Sequence, residues 1–384
     1  MKKILTIIGA RPQIIKSAAI SRAIKNHFTQ VIEEVIVHTG QHYDEKMSAV
    51  FFEELQIPQP NYNLQVGSGK HGYQTARMIE GIEEILEIEK PNFVIIYGDT
   101  NSTLAAAIAA AKIHIPIVHI EAGLRSFNKK MPEEVNRILS DHVSTYLFPP
   151  TITAFENLQK EGFKIDNLPL YTIDNPAVIS VGDVMYDNTC FFSELSETKT
   201  NIIQTHGLLK NQFVLATIHR NTNTDEAVRI NAIFHALQTI ADSYQIKIVV
   251  PLHPRTRKQM KLLLESELFE AIHSNPRILL LEPVSFLEMI QLEKYAQLVI
   301  TDSGGVQKEA YFLKKPCIIL RSETEWVEIV ENGAALLCDA DYQSILDAYG
   351  YFENKPTIAY QNSYGNGNAA ESILQTLLQS INPQ

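Results

Sequence analysis

The feature that most constrains this chain is an alternation, carried from end to end, of short unbroken apolar runs with segments of helical periodicity. An unbroken apolar strand is hydrophobic on both faces and must be covered on both, so strands of this kind separated by helices build parallel sheets flanked by helices. In the first half, strands are expected at Lys3–Ile8, Val31–His38, Phe93–Tyr97, Pro116–Ile120 and Tyr146–Phe148, with helices at Pro12–His27, Tyr73–Glu87, Ser102–Lys112 and Pro132–Val143. In the second half, strands are expected at Val178–Val181, Phe213–Thr217, Lys247–Pro251, Ile278–Leu281, Leu298–Thr301, Cys317–Leu320 and Ala335–Leu337. Between the two series lies the polar segment Asp166–Asn175, which contains Pro169 and is followed by Pro176, and the domain boundary is placed there. At 384 residues the chain also exceeds what one core comfortably supports.

The expected architecture is therefore α/β, with two Rossmann-like, doubly wound domains at 1–175 and 176–366 facing each other across a cleft, and a terminal helix at 367–384. Ligands of such folds bind where the carboxyl ends of the strands open. The last helix has Asn368 and Glu371 spaced as a capping box, and Ala370, Ile373, Leu374, Leu377, Leu378 and Ile381 form one apolar stripe.

Charge and cysteine content narrow the function. With 33 basic against 44 acidic residues the net charge is −11, the wrong sign for a nucleic-acid protein. An anionic ligand is not excluded, because local cations and helix N-termini decide that. Cys190, Cys317 and Cys338 are widely spaced and form no CxxC pair, which fits reduced thiols and neither a disulfide framework nor a zinc site. The opening MKKILTIIGARP has too short an apolar run for a signal peptide, and no window approaches the ~18 apolar residues of a membrane span. A cytoplasmic enzyme with no metal and no membrane partner is expected.

Candidate chemistry gathers at strand ends. After the first strand, Gly9-Ala10-Arg11-Pro12 opens a helix with Pro at its first turn, and Lys16 follows about one turn on, a cationic pair for a phosphate or carboxylate. Gly98-Asp99-Thr100 closes the strand Phe93–Tyr97, where Asp99 either caps the next helix or presents an acid at the sheet rim. His119-Ile120-Glu121-Ala122-Gly123-Leu124-Arg125 ends another strand, and Met131-Pro132-Glu133-Glu134 opens a helix carrying Arg137 and Asp141. Glu133 also has ordinary reasons to be there: it favours the helix dipole and stands i,i+4 to Arg137. Together, Asp99, Glu121 and Glu133 would converge at one end of one sheet, with Arg11, Lys16 and either Arg125 or Arg137 nearby. Carboxylates sharing a cleft divide into acid and base because proximity separates their pKa values.

In the second half, His219-Arg220 and His253 follow strands, and Thr301-Asp302-Ser303-Gly304-Gly305 precedes the helix 306–312. Two glycines at a helix N-terminus admit a diphosphate to the backbone amides, and Glu309 stands one turn on, placed for ribose hydroxyls. Two motifs are set aside. Gly67-Ser68-Gly69-Lys70 looks like a phosphate loop, but His71 replaces the Ser/Thr and no strand is expected before it; Asn101-Ser102-Thr103 matches a glycosylation acceptor in a chain read as cytoplasmic.

Six motifs, GARPQIIK (9–16), YGDTNST (97–103), HIEAGLRS (119–126), MPEEVNR (131–137), HR (219–220) and TDSGGVQKEA (301–310), resemble in type and order the non-hydrolysing UDP-N-acetylglucosamine 2-epimerases, over nearly the whole chain. The resemblance implies a fold like the GT-B glycosyltransferases, with the C-terminal helix returning to the first domain, a homodimer, and no metal or cofactor. It implies a reaction in which UDP is eliminated with loss of the C2 proton, a glycal stays bound, and UDP adds back as a proton reaches the opposite face of C2. Asp99, Glu121 and Glu133 would then be the acid/base set, with no order assigned among them, and His219 would assist the departing diphosphate. Arg11, Lys16, Arg137, His253, Ser303, Gly304, Gly305 and Glu309 would bind the UDP-sugar, and Gln41-His42 would mark a second nucleotide-sugar site.

The departures from the family pattern point to a branch. GARPQ replaces GTRPE, Thr222 stands where a Glu is usual, and Arg321-Ser-Glu-Thr-Glu-Trp-Val-Glu carries Trp326 where the common enzymes resemble ERPE. These resemble the enzymes acting on UDP-2,3-diacetamido-2,3-dideoxyglucuronate, which serve surface polysaccharides. The alternatives are a UDP-GlcNAc 2-epimerase, a hydrolysing epimerase that releases ManNAc and UDP, a GT-B glycosyltransferase and a UDP-sugar-binding regulator without turnover. A transferase needs one base at most, and a pure binder needs none of the acids.

Overall fold

The structure is a computed structural model that describes residues 1–41, 52, 55–354 and 357–381. The chain divides into two compact units, Met1–Asn188 with Asn362–Gln384, and Thr189–Gln361. In the first unit, β1 (Lys2–Ile8), β2 (Ile32–His38), β3 (Tyr62–Asn63), β4 (Phe93–Tyr97), β5 (Ile117–Ile120), β6 (Tyr146–Phe148) and β7 (Ala177–Val178) form one sheet in the order β3-β2-β1-β4-β5-β6-β7. Every pairing is parallel. Strand order reverses at β1, which pairs with β2 on one side and β4 on the other (Leu5 opposite Val35 and Val94). A doubly wound sheet opens a ligand crevice at such a point. One face buries Leu5, Ile7, Val35, Val37, Val94 and Ile96 against Met78, Ile82 and the alanines 105–107, 109 and 110. Alanine suits that helix, Asn101–Lys112, because small side chains bring its axis close to the sheet while keeping high helix propensity. Its first turn is capped by the Thr100 hydroxyl, which accepts from the Thr103 amide.

The second unit repeats the plan. β8 (Phe213–Thr217), β9 (Lys247–Pro251), β10 (Ile278–Leu281), β11 (Leu298–Thr301), β12 (Cys317–Ile319) and β13 (Ala335–Leu337) lie parallel in the order β10-β9-β8-β11-β12-β13, with the reversal between β8 and β11. Its core sets Val214, Ile248, Val250, Ile300 and Ile318 against Ile233, Phe234 and Leu237 of the helix Ala227–Ser243.

Four expectations are corrected. The division falls at 188/189 and 361/362, not 175/176 and 366/367. The run expected as a strand at Val178–Val181 of the second half is β7 of the first sheet, where Ala177 and Val178 stand opposite Tyr146 and Leu147. The return of the chain is sealed nearby: Asp183 N donates to Tyr364 O at 3.0 Å, and Gly182 (φ +95°) lies so close that a Cβ there would stand 2.6 Å from that oxygen. Third, the first amides of the terminal helix Ala369–Ile381 are taken by Asp187, whose carboxylate accepts from Ala369 N (3.1 Å) and Ala370 N (2.8 Å), while Glu371 turns to His27 at 3.2 Å; among the described residues no hydrogen bond of an Asn368–Glu371 box is seen. Its residues Ala370, Ile373, Leu374 and Leu377 are buried, and the helix packs on Arg11–Ala23. Fourth, the helix expected over Pro12–His27 is α only over Arg11–Ala23 and widens to a π turn over Ile24–Phe28. Among the described residues no helix is long and apolar enough to cross a membrane, no His/Cys/Asp/Glu group could hold a metal, and none of the three cysteines is in a disulfide.

Candidate active site

In the first unit the turns after β1, β4 and β5 carry the chemistry. Lys16 Nζ meets Glu121 Oε1 at 2.6 Å, with both side chains largely buried. Gly98, at φ +60°, makes room for this pair: a Cβ there would stand 3.1 Å from Lys16 Nζ and 3.4 Å from Glu121 Oε1. Glu121 itself has φ +71°, a backbone conformation costing a non-glycine residue of order 1–3 kcal/mol, and held only where surroundings impose it. Beside the pair, Asp99 Oδ2 accepts from Arg137 Nη2 at 2.5 Å. Burial lifts the Asp99 carboxyl above its ordinary range despite Arg137 and Lys16, and the nearby charges of Glu121 and Glu133 add to the lift. Asp99, Glu121, Glu133, Lys16 and Arg137 thus act on one another electrostatically at one end of the sheet.

Two of these residues sit differently from expectation. Glu133 is exposed in the first turn of the helix Pro132–His142, and the i,i+4 pair with Arg137 is replaced by Arg137 with Glu134 at 2.9 Å. Arg125 is absent from the acid group, because its guanidinium is buried between Asp141 (2.7 Å) and Glu161 (2.7 Å). Arg11 begins the helix Arg11–Ala23 and is exposed.

The turns are held by residues whose part no local pattern announces. His119, fully buried, places Nδ1 2.7 Å from Asp141 Oδ1 and Nε2 2.8 Å from the Gly98 carbonyl. Asp141 Oδ2 also accepts from Gly123 N at 3.1 Å, so one carboxylate serves both flanks of Glu121. Burial pushes the Asp141 carboxyl up, but His119 and Arg125 bring it below the usual range. Gln13 accepts from Gly9 N (2.9 Å) and Ala10 N (3.2 Å) and donates to Tyr97 O (3.1 Å) and Thr103 Oγ1 (3.0 Å), clasping the β1 turn to the β4 turn. Glu134 accepts from Ser126 N and Phe127 N, each at 2.9 Å, and shapes the loop after Glu121.

In the second unit Asp302, fully buried after β11, gathers the turn after β8. It accepts from the amides of His219 (3.1 Å) and Arg220 (3.0 Å) and from Asn223 Nδ2 (3.1 Å), and lies 2.9 Å from His219 Nδ1. Burial would raise Asp302, but His219, Arg220 and Asn223 pull it down. A carboxylate against Nδ1 fixes the proton there. The His219 side chain is 46% exposed, so its ring stays reachable. His253 caps the helix Pro254–Leu263, its Nδ1 accepting from Arg255 N at 3.2 Å. Burial, His219 and Arg255 lower its pKa. Ser303 caps the helix Gly304–Phe312 through Val306 N at 3.5 Å. Gly305 is exposed, with only Ser303 Oγ within reach of an added Cβ, whereas one on Gly304 would stand 2.6 Å from Glu325 Oε1. Glu309, one turn on, is buried. Two glycines at the N-terminus of a nine-residue helix, Gly304 half-buried and Gly305 exposed, with a histidine across the switch point, are suited to an anion.

A family model for UDP-N-acetylglucosamine 2-epimerases matches residues 23–378. A UDP-N-acetylglucosamine 2-epimerase homolog of Methanococcus maripaludis is 48% identical, with 98% of this chain and 99% of the relative covered. The chain belongs to the UDP-N-acetylglucosamine 2-epimerase family. The UDP-2,3-diacetamido-2,3-dideoxy-D-glucuronate 2-epimerase of Pseudomonas aeruginosa is 46% identical, with 98% and 99% covered. The crystal structure of Methanocaldococcus jannaschii UDP-GlcNAc 2-epimerase in complex with UDP-GlcNAc and UDP superimposes with a TM-score of 0.82 at 41% identity, over 98% of this chain and 99% of that one. The protein is therefore an isomerase of the UDP-sugar 2-epimerase class, with the two α/β units of that fold.

Within this epimerase the positions that departed from the family pattern divide. Gln13 is spent on the two turns, so it shapes the site through backbone rather than by contact. Thr222 is exposed in the short helix Asn221–Thr224. Trp326 is buried with Lys308 Nζ 3.9 Å above its ring, next to the Gly304 turn. Gln41 accepts from Ser102 N (3.1 Å) and Ser102 Oγ (2.7 Å), which ties it to the helix Asn101–Lys112, while His42 lies outside the described residues. The Gly67–Lys70 turn does follow a strand, the two-residue β3, and leads into the helix His71–Glu89.

Proposed function

We propose that this epimerase inverts C2 of UDP-2,3-diacetamido-2,3-dideoxyglucuronate to give the manno epimer, in the cytoplasm, as a homodimer supplying surface-polysaccharide synthesis. The observation that carries the chemistry is the pairing of Asp99 and Glu121 under the cations Arg137 and Lys16. The C2 proton is weakly acidic, so its removal needs a held carboxylate, and inversion needs a second group to return a proton on the other face. In the forward direction Glu121 takes the C2 proton, the C1–O bond to UDP breaks, and its electrons leave with UDP as the C1=C2 bond of the glycal forms. UDP oxygen then bonds to C1 while Asp99, lifted by burial toward its protonated form, gives a proton to C2. Glu133 sets the field on Asp99, and Lys16 acts through Glu121.

His219, oriented by Asp302, steadies charge on the departing diphosphate, as cationic or donor groups do when charge develops in a transition state. In the second unit the amides of Gly304 and Gly305, Ser303 and His253 bind the diphosphate, and Glu309 the ribose; in the first unit Arg11 is a substrate-binding cation. The sugar's identity is supported by the Pseudomonas relative's name and by Trp326 with its stacked Lys308, a changed surface suited to a carboxylated sugar. The Methanococcus relative at 48% favours UDP-GlcNAc. Chromatography of products from both UDP-sugars at equal concentration decides between them: the uronate should turn over at least about tenfold faster (~1.4 kcal/mol in the barrier). Faster turnover of UDP-GlcNAc replaces the uronate reading with the other.

A further inference from the structure

The second unit holds an acid that the reaction does not use. Glu293, on the helix Phe286–Tyr295, is fully buried, and neither of its oxygens makes a well-formed hydrogen bond among the described residues. Among the described residues, the carboxyl of Glu309, from the helix Gly304–Phe312, is set against it, and the buried thiol of Cys317 in β12 also faces it. A lone ionised carboxylate in such a place is prohibitively costly, and two carboxyls sharing a site keep one proton between them. Burial first, and then Glu309, hold Glu293 well above the usual carboxylate range.

We propose that Glu293 is a positioning residue for nucleotide binding, a buried carboxylic acid whose O–H donates to the Glu309 carboxylate and turns its remaining lone pairs toward the ribose hydroxyls. The assignment rests on Glu309 being the ribose ligand, as in the reading above. Without this donor behind it, Glu309 loses one of the contacts that orient it toward the ribose; the sugar chemistry is untouched. The pair explains why an acid is kept where packing alone calls for an apolar side chain.

The test is UDP titration calorimetry between pH 6 and 9, with kcat and KM, on the full chain and on the E293Q, E293L and E309A variants. Glu293→Gln keeps a donor at every pH and should bind UDP within about threefold of the parent, with no alkaline weakening. The parent's affinity should fall at the alkaline end as Glu293 ionises beside Glu309. Glu293→Leu should weaken UDP by about tenfold and raise KM in step, leaving kcat within about twofold, the size of one lost charge-assisted hydrogen bond. Parent-like UDP binding in E293L with a weakened E309A overturns the role of Glu293 alone. Parent-like binding in both overturns the nucleotide placement with it. Should E293L fail to fold, the pH series decides: an alkaline fall that persists in E293Q overturns the proposal, and its disappearance supports it.

Discussion

Glu121 combines three costs that a purely structural residue would avoid: near-complete burial, a positive φ and a largely buried ion pair. Each is explained if its carboxylate must stand at a defined point on the sheet rim. Glu121→Gln keeps the shape and removes the proposed base, so kcat should fall by about 10²–10⁴ while UDP affinity stays within about twofold. Stopped assays and calorimetry on the same preparation check this, and unchanged turnover would take Glu121 out of the proton transfers. Asp302 works one step back. Asp302→Asn leaves the amides of His219 and Arg220 an acceptor but removes the charge beside Nδ1, and kcat should drop by about 10–100-fold with little change in KM. Residues such as Asp99 and Glu121 were legible because they follow apolar strands directly. Gln13, Glu134 and Asp141 were not, because the partners that give them their part, Thr103 for Gln13, Phe127 for Glu134 and Gly123 for Asp141, lie 90, 7 and 18 residues away and only the fold sets those distances.

At the scale of elements, the strands of this chain were readable because parallel strands buried on both faces must be continuously apolar. β4, β6, β8, β9, β10, β11 and β13 fall where the apolar runs do. β3 escaped because a two-residue strand has no run to show; it exists through its pairing with β2, Val37 opposite Tyr62. The misplaced boundary has the same origin. Proline and polar residues at 166–176 mark a loop, and what assigns the following segment to the first unit is β7 pairing with β6 and Asp187 capping the terminal helix, both long-range.

That cap is pH-sensitive. Burial, against the Ala370 and Ala369 amides, raises Asp187 from 3.8 to about 6. A carboxyl whose folded pKa lies above its unfolded one favours folding in its neutral form, fully below pH 3.8, and the contribution is lost as pH rises through about 6, about 3 kcal/mol in all. Relative to the parent, D187N should gain stability as pH is raised from 4 to 7, read from hydrogen exchange in the helix Ala369–Ile381. A parallel pH dependence in parent and variant would contradict this. Gly182 belongs to the same junction: Gly182→Ala meets both a positive φ and the Tyr364 carbonyl, and should lower stability by about 1–3 kcal/mol in denaturant titration.

For the whole molecule, one strand order used twice provides two switch points, and each unit carries a different chemistry at its own: carboxylates under cations in the first, a helix N-terminus with a fixed histidine in the second. That division of labour is what an elimination and re-addition of UDP requires, and a transferase or a binding protein has no use for the first half of it. The most direct test is proton NMR of the purified protein in deuterated buffer with UDP-2,3-diacetamido-2,3-dideoxyglucuronate, and with UDP-GlcNAc in parallel. Epimerisation by elimination and re-addition predicts a manno product carrying deuterium at C2, because the proton that arrives on the opposite face comes from an acid in exchange with solvent. A product that keeps its C2 proton, or no epimer from either sugar, would contradict it.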